Sequence, residues 1–319
     1  MPELRVIEPG LLTTIQDAPG RPGLGRFGIP IGGALDASAA RLANRLVGND
    51  GDEPVLEITL LGPTLEWMDG AHVGLAGADL GALVLGRGAR LAPGHSYRLR
   101  AGAVLAFDAV RHGVRSYLAV EGGYEIAPVL GSTATDLRSR FGGLDGRALQ
   151  AGDILQFATG RHEPLRWVPD HMATDEWLSF VPISASLGWF TRSDVDRFCA
   201  TTWTVGVRSD RSGIRLTGGQ IDTVGTRIPS VGLPVGSVQV PPNGEPIVKL
   251  VDGPVTGGYP VIGVVPRAEH SRLAQAAPGT TLRFRRISVA AARALATYEA
   301  DEIRDVVLDD GDFAAGWAG

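Results

Sequence analysis

The segment from Ser230 to Pro260 restricts the possible fold more than any other part of the chain. Its 31 residues, SVGLPVGSVQVPPNGEPIVKLVDGPVTGGYP, include six glycines and six prolines. Short apolar runs around Val238 and Val240 and over Ile247–Val251 separate these residues, which is typical of buried strands joined by tight turns. The segment therefore predicts rigid β structure rather than a flexible linker.

Short alternating apolar segments between turn residues extend over most of the chain, which has 44 glycines and 6% aromatic residues. This pattern predicts a mostly β protein built of barrels or sandwiches. The clearest strand candidates are Tyr97–Leu99, Val104–Phe107, Tyr117–Val120, Ile154–Phe157 and Leu282–Phe284.

Only a few short helices are expected. Asp36 is placed to cap a helix over Ala37–Val47 that buries one apolar face. Ser193 and Asp196 have the spacing of an N-terminal capping pair for a second short helix. Ser288 is placed to cap a helix near the C-terminus.

The length of 319 residues predicts two domains. A polar, proline-interrupted stretch at residues 160–176 lacks periodicity and is interpreted as their junction. The loop Gly28–Gly33 also resembles Gly232–Ser237, which would fit two related barrels or a chance match in a glycine-rich chain. We therefore predict a first β-barrel domain over residues 1–165 and a second over residues 176–319.

Composition argues against several classes of function. A net charge of −5 without a basic run does not favour nucleic-acid binding. No apolar run approaches the roughly 20 residues that span a bilayer, and the start MPELRVIEPG lacks the features of a signal peptide. The one cysteine, Cys199, excludes an internal disulfide and fits the cytoplasm. Six scattered histidines lack zinc-site spacing, so no metal is expected.

The chain has a single lysine, Lys249, among 30 basic residues. One interpretation is a catalytic amine. The other is an ordinary surface side chain, because strand alternation within Ile247–Val251 would let Lys249 point to solvent.

The Ser230–Pro260 segment also carries the best candidates for a small-molecule site. Gln239, Asp252, Thr256 and Tyr259 lie on its predicted turns and strands, and Gly257-Gly258 lies between the last two. Adjacent glycines let the backbone pass close to a ligand, with amide groups able to face a carbonyl oxygen or an anion. A strained turn beneath a loop would have the same sequence.

Three further polar clusters accompany this segment: Thr13–Asp17 with Gly20-Arg21 and Asp36, Ala43–Asn49 with Glu57, and Arg208–Leu216. Each has a purely structural interpretation. Asp17 and Asp36 would serve as caps or turn formers, Asn49 as a residue of a helix C-terminal turn, and Asp210 as the partner of a neighbouring arginine.

The order and spacing of these clusters resemble one family from about residue 5 to residue 287. Its names are allophanate hydrolase subunit 2, the C subunit of 5-oxoprolinase, and KipA, and it is similar to biotin-dependent carboxyltransferases. The matching motifs are Gln16-Asp17, Gly20-Arg21, Gly33–Asp36, Ala43–Asn49, Ser209–Gly218, Gly236–Pro241, Asp252–Pro260, and Gln275 with Pro278-Gly279. The step from Asp17 to Arg21 is one residue longer here than in the family pattern.

The resemblance implies two cyclophilin-like β-barrel domains with a few short helices and a C-terminal helix. It implies a subunit of an ATP-dependent 5-oxoprolinase-like complex that opens 5-oxoproline to glutamate. The implied partners are a sister subunit of the allophanate hydrolase subunit 1 (KipI) type and a third subunit of the LamB/YcsF type. ATP would bind with those partners, because the chain has no G-x-x-x-x-G-K-[ST] loop.

Two other activities fit the same resemblance. One is a carboxyltransferase component that acts on urea or a related amide, with biotin carried by another protein. The other is a regulatory protein that sequesters the KipI-like subunit.

The resemblance and the residue types together suggest roles at the site. Asp252 would accept an N–H or act as a base, and Gln239 would pair with an amide. The amides of Gly257 and Gly258, with Thr256, would hold an oxyanion, and Tyr259 would close the pocket. A second group, formed by Asp17, Arg21 and Arg211, would bind the substrate, the arginines by gripping a carboxylate or phosphate. We expect Gln239, Asp252 and Tyr259 to face one cavity.

Overall fold

The structure is a computed structural model that describes residues 1–158, 177–183, 188–222 and 228–304, without the side chains of residues 299–304. These residues form two compact units. The first comprises Met1–Arg21 and residues 32–158, and the second comprises Pro22–Ile31 and the described residues from 177 to 304. The domain boundary predicted between residues 165 and 176 lies outside the described residues.

The first unit consists of two antiparallel sheets. Its six-stranded sheet has the order β11-β1-β4-β9-β6-β7, and its five-stranded sheet has the order β2-β3-β10-β5-β8. The strands are β1 Glu3–Glu8, β2 Leu12–Gln16, β3 Val55–Thr59, β4 Thr64–Trp67, β5 Ala71–Asp79, β6 Ala82–Val84, β7 Ala89–Arg90, β8 His95–Leu99, β9 Ala103–Phe107, β10 His112–Val120 and β11 Ile154–Gln156.

The core of the first unit is filled by side chains that alternate along these strands. Trp67 and Phe157 pack edge to face at 5.4 Å between ring centres, both almost fully buried. A helix, α1 (Ala37–Leu46), covers the five-stranded sheet. Its backbone lies so close to β5 that a Cβ on Gly74 would collide with the carbonyl of Ala43. Glycine is therefore required there for the helix to dock.

The second unit is a closed barrel with the strand order β12-β19-β16-β17-β14-β13-β20, plus a small two-stranded sheet, β15-β18. The parallel pair β12–β20 closes the barrel. The strands are β12 Trp177–Pro182, β13 Trp203–Val205, β14 Gly213–Thr217, β15 Val231–Gly232, β16 Ser237–Gln239, β17 Ile247–Lys249, β18 Thr256–Gly257, β19 Val261–Val264 and β20 Thr281–Arg286.

Aromatic side chains dominate the interior at one side of this barrel. Phe180, Phe198 and Phe284 lie 4.7–6.2 Å apart between ring centres, and Trp203 packs on Phe198 at 5.5 Å. All four are completely buried. Phe198 comes from helix α2 (Arg192–Ala200), so burial of this ring fixes the helix to the barrel.

The segment Pro22–Ile31 belongs to the second unit although it lies early in the chain. It contains a single 3-10 turn, Leu24–Phe27, and Gly25 lies beside Val255. A Cβ at Gly25 would be 3.8 Å from the Val255 side chain. The loop that leads to β18 is thus bordered by residues from the N-terminal part of the chain.

The predicted helix caps are confirmed in two cases. The Ala39 N–H donates to the Asp36 carboxylate at 3.0 Å, and the Ala291 N–H donates to the Ser288 hydroxyl at 3.1 Å at the start of the helix Val289–Arg304. The prediction of Ser193 and Asp196 as a capping pair is wrong.

Thr191 and Asp194, two residues earlier, form the capping box of α2 instead. Both pairs have the required spacing, so spacing alone does not choose between them. The burial of Phe190 decides where the chain enters the helix. A five-residue helix, α3 (His270–Ala274), was not predicted. The helix Val289–Arg304 is called α4.

The prediction of a mostly β chain is confirmed, and each strand candidate from the alternation pattern overlaps a strand of the structure. None of the described helices combines the length and apolarity that a membrane crossing needs.

Candidate functional site

The outer face of the barrel in the second unit carries the polar residues of the Ser230–Pro260 segment. Antiparallel pairing places Val248 of β17 between Val238 of β16 and Ile214 of β14, and all three side chains are buried. Because successive side chains of a strand point to opposite faces, the residues on either side of Val248 point outward.

Two rows of side chains follow from this register. Ile247 pairs with Gln239 on one side and Arg215 on the other. Two residues further along the same face of β17, Lys249 pairs with Gly213 of β14. The outward face of β17 thus brings Gln239, Arg215 and Lys249 together.

Lys249 is on the outer face of the barrel, yet only 5% of it is exposed. The expectation that it would reach solvent is wrong, because other chain segments cover this face. A Cβ on Gly253 would be 2.8 Å from the Lys249 Cγ atom, so the turn after β17 folds back over the side chain. Burial lowers the pKa of Lys249 to about 8, while Asp252 partly offsets this effect.

Asp252 forms a two-pronged ion pair with Arg211. The Arg211 Nε–H donates to Oδ2 at 2.7 Å and the Nη2 group donates to Oδ1 at 3.1 Å. Arg211 is 5% exposed, and the Asp252 N–H also donates to the Arg211 carbonyl. The predicted base and one predicted substrate-binding arginine therefore hold each other at the turn that covers Lys249.

Gln239 lies against the glycine pair of the Thr256–Pro260 loop. Its Nε2 group donates to the Tyr259 carbonyl at 3.5 Å. A Cβ on Gly257 would come within 2.7 Å of the Gln239 amide nitrogen and 2.6 Å of Leu233, so only glycine fits at this position. Thr256 is exposed, and Gly257 pairs with Val231 in the small sheet.

A hollow of about 700 Å³ opens on this face of the second unit. Tyr259 and Ile247 line it together with two arginines, Arg208 and Arg215. Prolines form much of the remaining wall, and Glu245 contributes one carboxylate; the other lining residues are Gly206, Val207, Thr217, Pro241, Pro242, Asn243 and Pro246.

Neither Arg208 nor Arg215 has an ion-pair or side-chain hydrogen-bond partner in the part of the chain that the structure describes, and both are exposed. A hollow with two unengaged guanidinium groups suits a small anionic ligand, because the planar fork of arginine matches a carboxylate. The two residues belong to the Arg208–Leu216 cluster, but neither was predicted to be a site residue. The alternation of Arg215 with the apolar, buried Ile214 and Leu216 was the sequence signal that could have identified Arg215 as an outward-facing residue.

The structure brings the predicted residues together only in part. Tyr259 lines the hollow, and Gln239 touches the backbone of Tyr259. Asp252 is turned towards Arg211 and does not line the hollow.

Asp17 and Arg21, the other predicted substrate-binding residues, lie in the first unit, at 4% and 2% exposure. The Asp17 carboxylate accepts hydrogen bonds at 2.7–3.1 Å from Gly20, Ser132 and both the amide and hydroxyl of Thr133. Arg21 donates to the carbonyls of residues 129, 132 and 134 and stacks on Phe141. Both side chains fasten the 129–135 loop.

Comparison with known proteins finds matches along most of the chain. The family described as "Carboxyltransferase domain, subdomain A and B" matches residues 27–286. The chain is 38% identical to the C subunit of 5-oxoprolinase from Escherichia coli (strain K12) over 286 residues, which is 88% of this chain and 90% of that protein. It is 36% identical to the 5-oxoprolinase C subunit of Haemophilus influenzae over 307 residues, 92% of this chain and 95% of that protein.

Among solved structures, the K. lactis urea amidolyase superposes with a TM-score of 0.88 at 28% identity. This match covers 97% of the present chain and 20% of the much longer urea amidolyase chain.

Proposed function

The chain belongs to the family of the carboxyltransferase domain, subdomains A and B, and on that premise we propose that it is the subunit of an ATP-dependent 5-oxoprolinase complex that binds the lactam. The relatives named as C subunits of 5-oxoprolinase match it almost from end to end. In the urea amidolyase, by contrast, the matching region is one fifth of the chain.

The hollow with Arg208 and Arg215 is the observation that carries this proposal. 5-Oxoproline is a carboxylate at neutral pH, whereas urea is neutral. Two guanidinium groups without ion-pair partners in the described residues favour the anionic substrate, because a carboxylate would receive charge-assisted hydrogen bonds from them. Glu245 offsets one of the two charges, so the hollow keeps a net positive lining.

The neighbouring residues suit the amide end of the same substrate. Gln239 offers both a donor and an acceptor, which can pair with the N–H and C=O of a lactam. Its position beside Tyr259 puts it at the edge of the hollow. In this scheme Asp252 is a positioning residue that acts through Arg211 and Lys249. Both of its carboxylate oxygens already accept hydrogen bonds from Arg211, so they do not contact the substrate.

ATP is assigned to partner subunits. The chain lacks the phosphate-binding loop that would cradle a triphosphate. We infer a sister subunit of the KipI type and a third of the LamB/YcsF type, and an activity that is absent from the isolated chain.

The test is reconstitution of the complex from this chain and the two partner subunits of its own genome. Substrate-dependent ATP hydrolysis is measured with 5-oxoproline and, in parallel, with urea, and glutamate formation is measured directly. We expect ATP hydrolysis and glutamate only with 5-oxoproline and only when all subunits are present. Turnover of urea without turnover of 5-oxoproline would contradict the proposal.

The alternative is a carboxyltransferase that acts on urea, which is favoured by the close superposition on K. lactis urea amidolyase. In that case, activity requires a biotin carrier and a biotin carboxylase, and the reconstituted system consumes bicarbonate. A regulatory role in sequestering the KipI-like subunit predicts tight binding of that subunit without turnover of either substrate.

A further inference from the structure

Lys249 is a buried amine without a hydrogen-bond acceptor among the described residues. It is 5% exposed, and it makes no hydrogen bond, and no ion pair within 4 Å, with any of them. The Nζ atom has no partner among the described residues and is not among the fully buried atoms, so the small exposed part of the residue includes the ammonium group, whose three N–H donors face solvent or a ligand. The fold maintains this arrangement at the only lysine of the sequence.

The charged groups around Lys249 come from three elements. On the turn after β17, Asp252 attracts Lys249 from beyond ion-pair distance while both of its oxygens accept from Arg211 of the loop before β14. From the α3 side, His270 is half-buried and its ring hydrogen-bonds to the Val265 carbonyl, with Arg267 and Glu269 nearby. Burial is the main cause that lowers the pKa of His270 to about 4, and the positive charge of Lys249 makes a smaller contribution in the same direction. His270 is therefore neutral at pH 7.

Lys249 does not itself line the hollow, but the strand register links it to Gln239 at the edge of the hollow. Lys249 and Ile247 are on the same face of β17, and Gln239 is opposite Ile247. Lys249 is thus the diagonal neighbour of Gln239, a relation in which Cα atoms are roughly 7–8 Å apart and long side chains can reach a common ligand.

We propose that the Lys249 ammonium group is an oxyanion-stabilising donor of this site and donates a hydrogen bond to the carbonyl oxygen of the bound amide. In lactam opening, water forms a new bond to the carbonyl carbon and gives up a proton to solvent, while the C=O π bond breaks and its electron pair moves onto the oxygen. When the C=O bond re-forms, the ring C–N bond breaks and the released nitrogen takes up a proton from solvent. Lys249 stabilises the charge on the oxygen and keeps its own proton. A donor held in a water-poor setting is most effective in this role, because no solvent must reorganise around the developing charge. This inference rests on the proposed amide substrate.

Because the chain has one lysine, its amine can be observed alone. The chain is produced with lysine labelled at Cε with ¹³C and studied alone and after reconstitution with unlabelled partner subunits. We expect one lysine resonance that moves on addition of 5-oxoproline or urea, whichever binds, and that is absent from Lys249→Met. A resonance unaffected by saturating amounts of both compounds would overturn the proposal.

Kinetics of the reconstituted complex provide the second test. Lys249→Met keeps an unbranched side chain that is one atom shorter and removes the donor, so kcat should fall about 100-fold with KM changed by less than about threefold. Lys249→Arg restores a charged donor and should recover about a tenth or more of the lost rate.

A matched control separates this effect from loss of packing. Val248→Ala changes the adjacent residue, which points into the barrel, and should lower the melting temperature while kcat stays within about twofold. If Lys249→Met keeps the wild-type kcat, the proposal is wrong. If the complex is inactive on 5-oxoproline while urea moves the Lys249 resonance, the proposed substrate is wrong and the role of Lys249 stands.

Discussion

Motif residues of the first unit have their partners inside the protein, whereas several of those in the second unit leave donors unused. Asp17 accepts four hydrogen bonds and Arg21 donates to three carbonyls, all within the first unit. In the second unit, Arg208 and Arg215 lack ion-pair partners among the described residues, and Lys249 is buried without an acceptor among them.

The difference separates structural motifs from chemical ones. Buried polar groups with a full set of hydrogen bonds rigidify a fold, and removing one partner is costly. Donors that have no acceptor within the protein, whether exposed or largely buried, remain available to a ligand. We therefore interpret the Asp17 and Arg21 motif as architectural, and we propose Arg208, Arg215 and Lys249, rather than the mutually paired Arg211 and Asp252, for ligand chemistry.

The largest expected effect is on the stability of the first unit. Asp17→Ala leaves the donors of Gly20, Ser132 and Thr133 without an acceptor, so the free energy of unfolding should fall by about 4 kcal/mol. Urea denaturation of the purified chain measures it. The control Asp52→Ala removes a surface ion pair with Arg41 and should cost under about 1 kcal/mol. Equal losses of unfolding free energy in the two variants would contradict the proposed difference between the two units.

The second effect is a pH dependence that originates in the second unit. Burial lowers the pKa of His270 from 6.5 to about 4. Between these values the unfolded chain binds a proton that the folded chain excludes, so stability should fall by roughly 3 kcal/mol as pH drops through this range. His270→Gln should remove this part of the dependence in denaturation curves at pH 7 and pH 4.5. The exposed His112→Gln should leave it unchanged.

The third effect has the opposite sign from the first. The pKa of Lys249 is lowered from 10.5 to about 8, so the folded chain bears the cost of a buried charge at pH 7. Lys249→Met should raise the free energy of unfolding at pH 7 by about 2 kcal/mol. Wild-type stability rises with pH between 8 and 10.5, because the unfolded chain then binds the extra proton. The advantage of the Met variant should therefore shrink when denaturation is repeated at pH 10, and a Met variant less stable than wild type at pH 7 would contradict this account.

The smallest effect concerns the hollow. Arg215→Gln removes one charged donor for a substrate carboxylate, so KM for 5-oxoproline in the reconstituted complex should rise about tenfold, equivalent to about 1.4 kcal/mol, with kcat almost unchanged. Arg293→Gln, on the exposed face of α4, serves as the matched control and should leave both parameters unchanged. An unaltered KM in Arg215→Gln would show that the carboxylate binds elsewhere.

The strands were predictable because their signal is local. Alternation along Tyr117–Val120 or Leu282–Phe284 reports which side chains are buried, and these segments form parts of β10 and β20. The Asp36 cap was predictable for the same reason, since its partner, the Ala39 amide, is three residues away.

The site was harder to predict because burial of an outward face depends on distant residues. Alternation correctly placed Lys249 outside the barrel interior, but it carries no information on the turn at Gly253 that covers the lysine. The partners of Arg21 are more than 100 residues away in sequence, so a residue type suited to binding carboxylates could not reveal that it holds carbonyls instead.

The early segment Pro22–Ile31 has a consequence for biosynthesis. During synthesis this segment leaves the ribosome long before the barrel strands of its own unit. The strands that flank it in sequence, β2 and β3, can already pair with each other at that stage. Consequently, splitting the gene between the two units would not yield a complete second unit, because part of it is encoded near the start of the gene. A polypeptide beginning at Trp177 would lack the residues beside Val255, and supplying them as a separate peptide should restore that border of the loop.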